Sequence, residues 1–388
     1  MLSTSSKTFL RVCLAAASCI FVGTAGANTL KGDWPMVNFD ARGLRNNPYE
    51  TILTKDSVKS LQLAWQLDGI NLSLYGPFPP PAVASGVIYV AAEDGHLYAR
   101  DAVTGHRLWT VKLATTYYSP SSPSVVNGIV YVSYWFPTSP DSKGRLRALN
   151  AATGATLWTA SFEGSVVGSP IVANGRVYQG GGKDSYLYAF DARSGTPLWK
   201  SDGLPTGGAG YYGNPAVAKG ILYSIVGFSV VAYDSATGNK LWSQQMRPGY
   251  GGESVAVQGN NVYANTEGYL SVLQASTGTV EWSGNFPMPD NASFAVGEGS
   301  IQAARNGIHF FDTSGVYSNI DGRTGRAFYA QENQIGVQTS PTIANGVLYV
   351  GSPAEIGAYD VVSGAPLWSA LLPESFTEAP PIVANGML

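Results

Sequence analysis

The chain is poor in the residue types on which most catalytic and metal chemistry depends. Its only two cysteines, Cys13 and Cys19, lie near the start. The rest of the chain therefore has no disulfide and no thiol chemistry. There are three histidines, His96, His106 and His309, and they are scattered. No run of His, Cys or Asp at coordinating spacing is present, so the sequence offers no metal site. Charged residues make up 13% of the chain, without basic blocks, which argues against nucleic acid as a partner. No stretch is apolar for long enough to span a bilayer. No glycine-rich phosphate loop opens a helix, and helical periodicity is essentially absent.

The first residues have the organisation of a secretory leader. Lys7 and Arg11 are basic, 12–22 is a short apolar core, and Ala25-Gly26-Ala27 is an A-x-A cleavage site. Cleavage after Ala27 would start the mature chain at Asn28 and place it in the periplasm or outside the cell. Cys19, in Ala-Ala-Ser-Cys-Ile, imitates a lipoprotein box, but its preceding residues fit poorly. Loss of Lys7 and Arg11 leaves 21 basic against 26 acidic residues, a net charge of −5. Such a product is also a poor binder of anionic lipid surfaces.

What the chain has in abundance is repetition. The phrase Ala-x-Asp-x-x-(Thr/Ser)-Gly-x-x-x-Trp ends at Trp109, Trp158, Trp199, Trp242 and Trp368, with Asn150 in the Asp place of the second copy. Degenerate copies end at Trp282 and Tyr329. A period near forty residues means a stacked or circular repeat. Within 81–113, three turns separate four short β-branched or aromatic runs: Ala82–Ala84, Val87–Val90, His96–Arg100 and Arg107–Val111. The first turn recurs as Asn-Gly at 127–128, 174–175, 306–307, 345–346 and 385–386, with Lys219-Gly220 and Gly259-Asn260 in the equivalent place. The Asp of the phrase can cap its own turn, and the Gly can take the left-handed position.

Four antiparallel strands repeated radially make a β-propeller, an all-β fold. The phrase resembles the tryptophan-docking motif of the PQQ-repeat, or quinoprotein alcohol dehydrogenase-like, propellers. The resemblance implies that Trp65, Trp109, Trp158, Trp199, Trp242, Trp282 and Trp368 dock neighbouring blades. First strands and last strands each number eight, whereas the Asp-x-x-Thr-Gly turn appears seven times. The expectation is an eight-bladed ring whose incomplete last blade shares Leu61–Trp65 with Pro381–Asn385, the chain breaking off within it. Seven blades with spare ends is the alternative. The expected organisation is a leader over 1–27, an extension over 28–60 and one propeller domain over 61–388.

The loops from each last strand to the next first strand vary most, and they gather on one face. Tyr117, Tyr118, Tyr134, Trp135, Tyr211, Tyr212, Arg247, Tyr250, Glu332, Gln334 and Gln338 are the ligand-face candidates. Aromatic rings with amides and one Arg suit a flat, anionic or sugar-like ligand; the same tyrosines could instead pack loops over the channel. Asp33-Trp34-Pro35, Asp40, Arg45, Asn47, Glu50 and the later Leu61–Trp65 also resemble the opening of PQQ-dependent dehydrogenases. That resemblance implies pyrroloquinoline quinone and Ca²⁺ as cofactors and an alcohol, sugar or polymer as substrate. The chain departs from the pattern in three ways. It lacks the adjacent-cysteine disulfide, it has no C-x-x-C-H haem motif, and its repeats carry no long insertions. No catalytic residue or metal ligand can be assigned from it. The competing expectation is a propeller, monomeric when complete, that binds another protein or an extracellular polymer through its loop face and needs no cofactor.

Overall fold

The computed structural model describes residues 32–66, 79–92, 94–114, 119–136, 143–181, 186–202, 214–227, 229–246, 252–266, 269–286, 295–298, 306–311, 316–332, 339–352, 355–371 and 380–388. The chain folds as an all-β propeller of antiparallel sheets. In each sheet the strands pair with their neighbours in the chain, save that in sheet II both Ser119–Pro120 and Ser124–Val126 pair with Ile129–Trp135 and that sheet VII takes in Asn46–Asn47. Sheet I covers 82–112, sheet II 119–163, sheet III 166–200 and sheet IV 216–245. Sheet V covers 252–285, sheet VI 295–332 and sheet VII 342–371. Five of them have four strands, and sheets II and VII have five. The fifth strand of sheet VII is Asn46–Asn47, which pairs in parallel with Ile343 and Ala344. Among the described residues the helical element is one 3-10 turn, Ser57–Ser60.

The turn chemistry read from the sequence is present in detail. Asn127, Asn174, Asn345 and Asn385 have φ between 48° and 52°, each followed by a Gly at positive φ. Ser85 and Lys219 take the same left-handed conformation at φ 53° and 50°. In the second recurrent turn, Asp101 Oδ1 accepts hydrogen bonds from the Val103 and Thr104 amides and from Thr104 Oγ1. Asp191 and Asp234 do the same in their own turns. Those bonds, led by the backbone N–H of Ser194 and of Thr237, hold both carboxyls below the usual 3.8.

The blade count differs from the expectation. Leu61–Trp65 and Pro381–Asn385 form no strand, and no sheet of the described residues joins them. The eight-bladed ring with a shared, incomplete last blade is therefore not the arrangement found. Among the described residues, 384–387 closes a single bridge across its own turn. The seven-blade alternative, with spare ends, is not met either, because the described residues 32–66 and 380–388 are packed into the propeller. Leu61, Val383 and Leu388 pack on Ala344 and Tyr349, while Trp65, Ile382 and Met387 pack on Val83 and Ile88. Asn306-Gly307 is a second departure. It is not a tight turn but the start of strand Asn306–Phe311, paired with Ala295–Glu298.

The extension is threaded into the propeller. Position 83 of sheet I corresponds to 125, 217, 257 and 343, each two residues before a first turn. The amides of Val83, Val125, Val217, Val257 and Ile343 donate to the carbonyls of Trp34, Pro35, Ala41, Arg42 and Arg45 in turn. Asn47 Nδ2 then bonds the carbonyls of Gly32 and Val383, so the segment closes on itself. Arg45 is buried at its centre, and burial pushes its guanidinium down to about 9, still a cation at neutral pH. All five of its N–H donors find acceptors: Pro341 O, Val37 O, Asn38 Oδ1, Thr342 Oγ1 and Pro381 O. Glu50 is buried too and accepts from the amides of Ile52, Leu53 and Gly386.

Candidate ligand face

Strand alternation gives the propeller two unlike faces. First-to-second and third-to-fourth connections lie on one, the turn face, together with residues 32–47. Second-to-third connections and the loops from one sheet to the next lie on the other, the loop face.

The turn face is where the repeated tryptophans act. Trp65, Trp109, Trp158, Trp199, Trp242 and Trp282 each donate their indole N–H, at 2.9–3.2 Å, to a carbonyl of the following repeat. The acceptor follows the Asp position: Ala102, Ala151, Ala192, Ser235, Ala275 and Gly322. The Gly of the phrase lies under the same indole. A Cβ on Gly238 would stand 2.7 Å from Trp199 Cδ2, and φ there is +77°. Every fourth strand carries a register shift at the residue before the aromatic, as between Ala99 and Arg100 of its partner strand. A bulge of this kind re-aims a side chain. It also leaves Leu108, Leu157, Leu198 and Leu241 exposed.

A tyrosine completes the arrangement, and the sequence reading missed it. Tyr89, Tyr131, Tyr178 and Tyr223, on second strands, donate to the same carbonyls as Trp109, Trp158, Trp199 and Trp242. The paired rings lie 5.8–5.9 Å apart. Burial pushes Tyr89, Tyr131 and Tyr223 up to about 12, so they remain hydroxyl donors. A Tyr inside a β-branched run reads only as a strand former; its recurrence two strands before each Trp was the available signal. In sheet VI the Tyr position is His309 and the Ala position beside it is Asn319, both fully buried.

The loop face is unlike this. Tyr117, Tyr118, Tyr211, Tyr212, Arg247, Tyr250, Gln334 and Gln338 lie outside the described residues. So does the side chain of Glu332, the last residue of sheet VI. Tyr134 and Trp135 are not loop residues but the end of strand Ile129–Trp135. Tyr134 is 2% exposed, edge-on to Phe136 and 5.8 Å from the Arg147 guanidinium. Its ring is part of the core rather than a surface for a ligand. Trp135 is half-buried at the end of the strand, and its indole N–H is buried without an acceptor among the described residues. Trp368 packs half-buried against the Leu53 and Val58 cluster.

Around the axis on this face, neighbouring repeats are linked by neutral polar groups. The Ser122 amide donates to Ser169 Oγ at 3.1 Å, and the Ser169 amide donates to Asn214 Oδ1 at 2.6 Å. Asn214 bridges to Ser254. Ser133, Gln179, Ser224 and Asn265 are buried nearby on second strands. Groups of this kind can exchange hydrogen bonds with hydroxyls, amides and peptide backbone. A calcium site asks for several oxygen ligands, carboxylates among them. Among the described residues no three of His, Cys, Asp and Glu come together to hold a metal ion, and the hydroxyl and amide set does not fit one. His106 is exposed, and His96 sits beside Asp94 at 3.4 Å.

Comparison with known proteins places the chain. A family model described as outer membrane protein assembly factor BamB matches residues 123–229 and 226–316. A second model, the β-propeller domain of glucose/ethanol/alcohol dehydrogenases, matches 34–155. Among curated relatives, the quinohemoprotein alcohol dehydrogenase of Comamonas testosteroni is 33% identical over 45% of this chain and 26% of its own. The outer membrane protein assembly factor BamB of Moranella endobia (strain PCIT) is 29% identical over 50% of this chain and 52% of its own. The chain thus matches only part of the length of these relatives. In fold it is similar to a europium-containing methanol dehydrogenase, with a TM-score of 0.70 at 16% identity over 89% of this chain and 86% of that one. It is likewise similar to BamB from Moraxella catarrhalis, with a TM-score of 0.53 at 19% identity over 75% and 83%. The repeats, the sheets and these matches agree: the chain belongs to the PQQ-repeat β-propeller superfamily.

Proposed function

We propose that this propeller is an exported binding module, which holds another protein or an extracellular polymer against its loop face. The observation that carries the reading is Trp135. Its N–H is buried without an acceptor among the described residues, at the end of the strand that also carries the buried Ser133. A buried donor left unpaired costs about 1–3 kcal/mol. A ligand carbonyl or hydroxyl would remove that cost. No helix of the described residues is long and apolar enough to cross a membrane. Export through the leader is part of the proposal: N-terminal sequencing should begin at Asn28, and a lipidated start at Cys19 would overturn that part.

The second reading is a PQQ- and Ca²⁺-dependent dehydrogenase of alcohols, sugars or polymers. The dehydrogenase family model over 34–155 favours it. Reconstitution separates the two. The mature protein is incubated with PQQ and Ca²⁺, then given primary alcohols and an artificial electron acceptor. The binding module shows neither bound-quinone absorbance nor acceptor reduction. Substrate-dependent reduction that follows PQQ stoichiometry would replace the binding reading with the enzymatic one.

A further inference from the structure

The turn face holds a cavity of ≈ 460 Å³ between residues 40–42 and the first turns of sheets III, IV and V. Its size is in the range of small-molecule sites, about 300–1,000 Å³. Ala41 and Arg42 form one wall, fixed by their carbonyls on the amides of Val217 and Val257. Ala173, Asn174, Ala218, Lys219 and Gly259 form the others.

Two cations and one carboxylate line this cavity. Asp40 holds Arg42 in place, accepting from its amide, its Nε and one terminal nitrogen. The other terminal nitrogen of Arg42 has no partner among the described residues, and the side chain is 43% exposed. Lys219 supplies the second cation, its Nζ 3.0 Å from the Gly259 carbonyl. Its backbone is the unexpected part. The equivalent turn position is Ser85, Asn127, Asn174, Gly259, Asn345 or Asn385 in the other repeats. These are residue types that suit φ near +50°. A Lys pays a conformational cost there, with no packing gain, since it is exposed. What it adds is a positive charge at the cavity mouth.

We propose that this cavity is a binding site for a small oxyanion, a carboxylate or a phosphate group, held between Arg42 and Lys219. It lies on the face opposite the loops and does not depend on their role. Arg42, oriented by Asp40, presents N–H donors in a fixed fork, while Lys219 reaches from the facing turn.

The test is calorimetric titration of the mature protein with succinate and, separately, inorganic phosphate, at constant ionic strength. Saturable binding of at least one is expected, and the pair shows which oxyanion the cavity takes. Lys219→Asn installs the residue found at four equivalent turns, so the fold should be kept and the melting temperature held or raised. Binding should weaken at least tenfold. Lys112→Gln, which removes the same charge from sheet I, should leave binding unchanged. No saturable binding of either anion would overturn the site. So would equal weakening by the two variants, since net charge would then explain the effect.

Discussion

The turn face and the loop face of this propeller are built on opposite plans. On the turn face the same contacts recur from sheet to sheet. In sheets I to IV an indole and a phenol share one carbonyl, a left-handed Gly lies beneath the indole, and in sheets I, III and IV an Asp caps its own turn. The extension bonds five equivalent amides in succession, with Arg45 sealed among five acceptors. On the loop face the contacts differ from sheet to sheet. Ser122 reaches Ser169, Ser169 reaches Asn214, and Trp135 has a buried N–H without an acceptor among the described residues. The recurring contacts lie where the sequence repeats, and the binding role proposed above falls to the face where it varies.

The largest expected effect comes from removing one indole. Trp199→Ala should destabilise the propeller by roughly 3–5 kcal/mol, the cost of truncating a large aromatic in a packed seam. It also leaves the Ser235 carbonyl with only Tyr178. Urea unfolding measures this, and a loss under about 1 kcal/mol would remove the indole from its proposed role as a seam residue. Gly238→Ala attacks the same seam from the other side. The left-handed backbone alone costs about 1–2 kcal/mol with a side chain, and a Cβ 2.7 Å from the indole adds to it. A loss of about 2 kcal/mol or more is expected in the same assay.

Acid should act next, and also on the turn face. The folded-state carboxyls of Asp191 and Asp234 are held below 3.8, so their contribution is present above 3.8 and is lost as pH falls through the lower folded value. The melting temperature should therefore drop below pH 3.8. The drop should be smaller in Asp191→Asn, whose amide oxygen still accepts from the turn without titrating; an identical acid profile would show that the turn does not contribute. The smallest effect belongs to His106→Ala. His106 is exposed beside the Asp101 turn, and the change should stay within about 0.5 kcal/mol.

How much of this was legible in the sequence follows the same division. Strands, turns and the Trp spacing were legible because each depends on a local rule repeated many times. The Asp caps and left-handed Gly positions were legible for the same reason. Asn306-Gly307 misled because its dipeptide is the turn signal, whereas pairing with Ala295–Glu298 makes it a strand start. Pro381–Asn385 misled because a first-strand pattern says nothing about whether a second strand follows to pair with it. The course of residues 32–47 was hidden, since its bonds are main-chain carbonyls to amides more than a hundred residues away in several cases. On the loop face the sequence reading grouped aromatics by loop position alone. Tyr134 is core, because alternation along Ile129–Trp135 puts it with Val130 and Val132, while the Trp135 N–H beside it has no acceptor among the described residues.

Trp135→Phe, measured by urea unfolding alongside Trp199→Ala, tests the division between the faces most directly. Phe keeps an aromatic ring and removes an N–H that the described fold leaves unsatisfied. The expected result is stability equal to or above that of the unsubstituted protein, against the loss of roughly 3–5 kcal/mol for Trp199→Ala. A comparable loss in Trp135→Phe would contradict the account, because the indole N–H would then be holding the fold rather than awaiting a ligand.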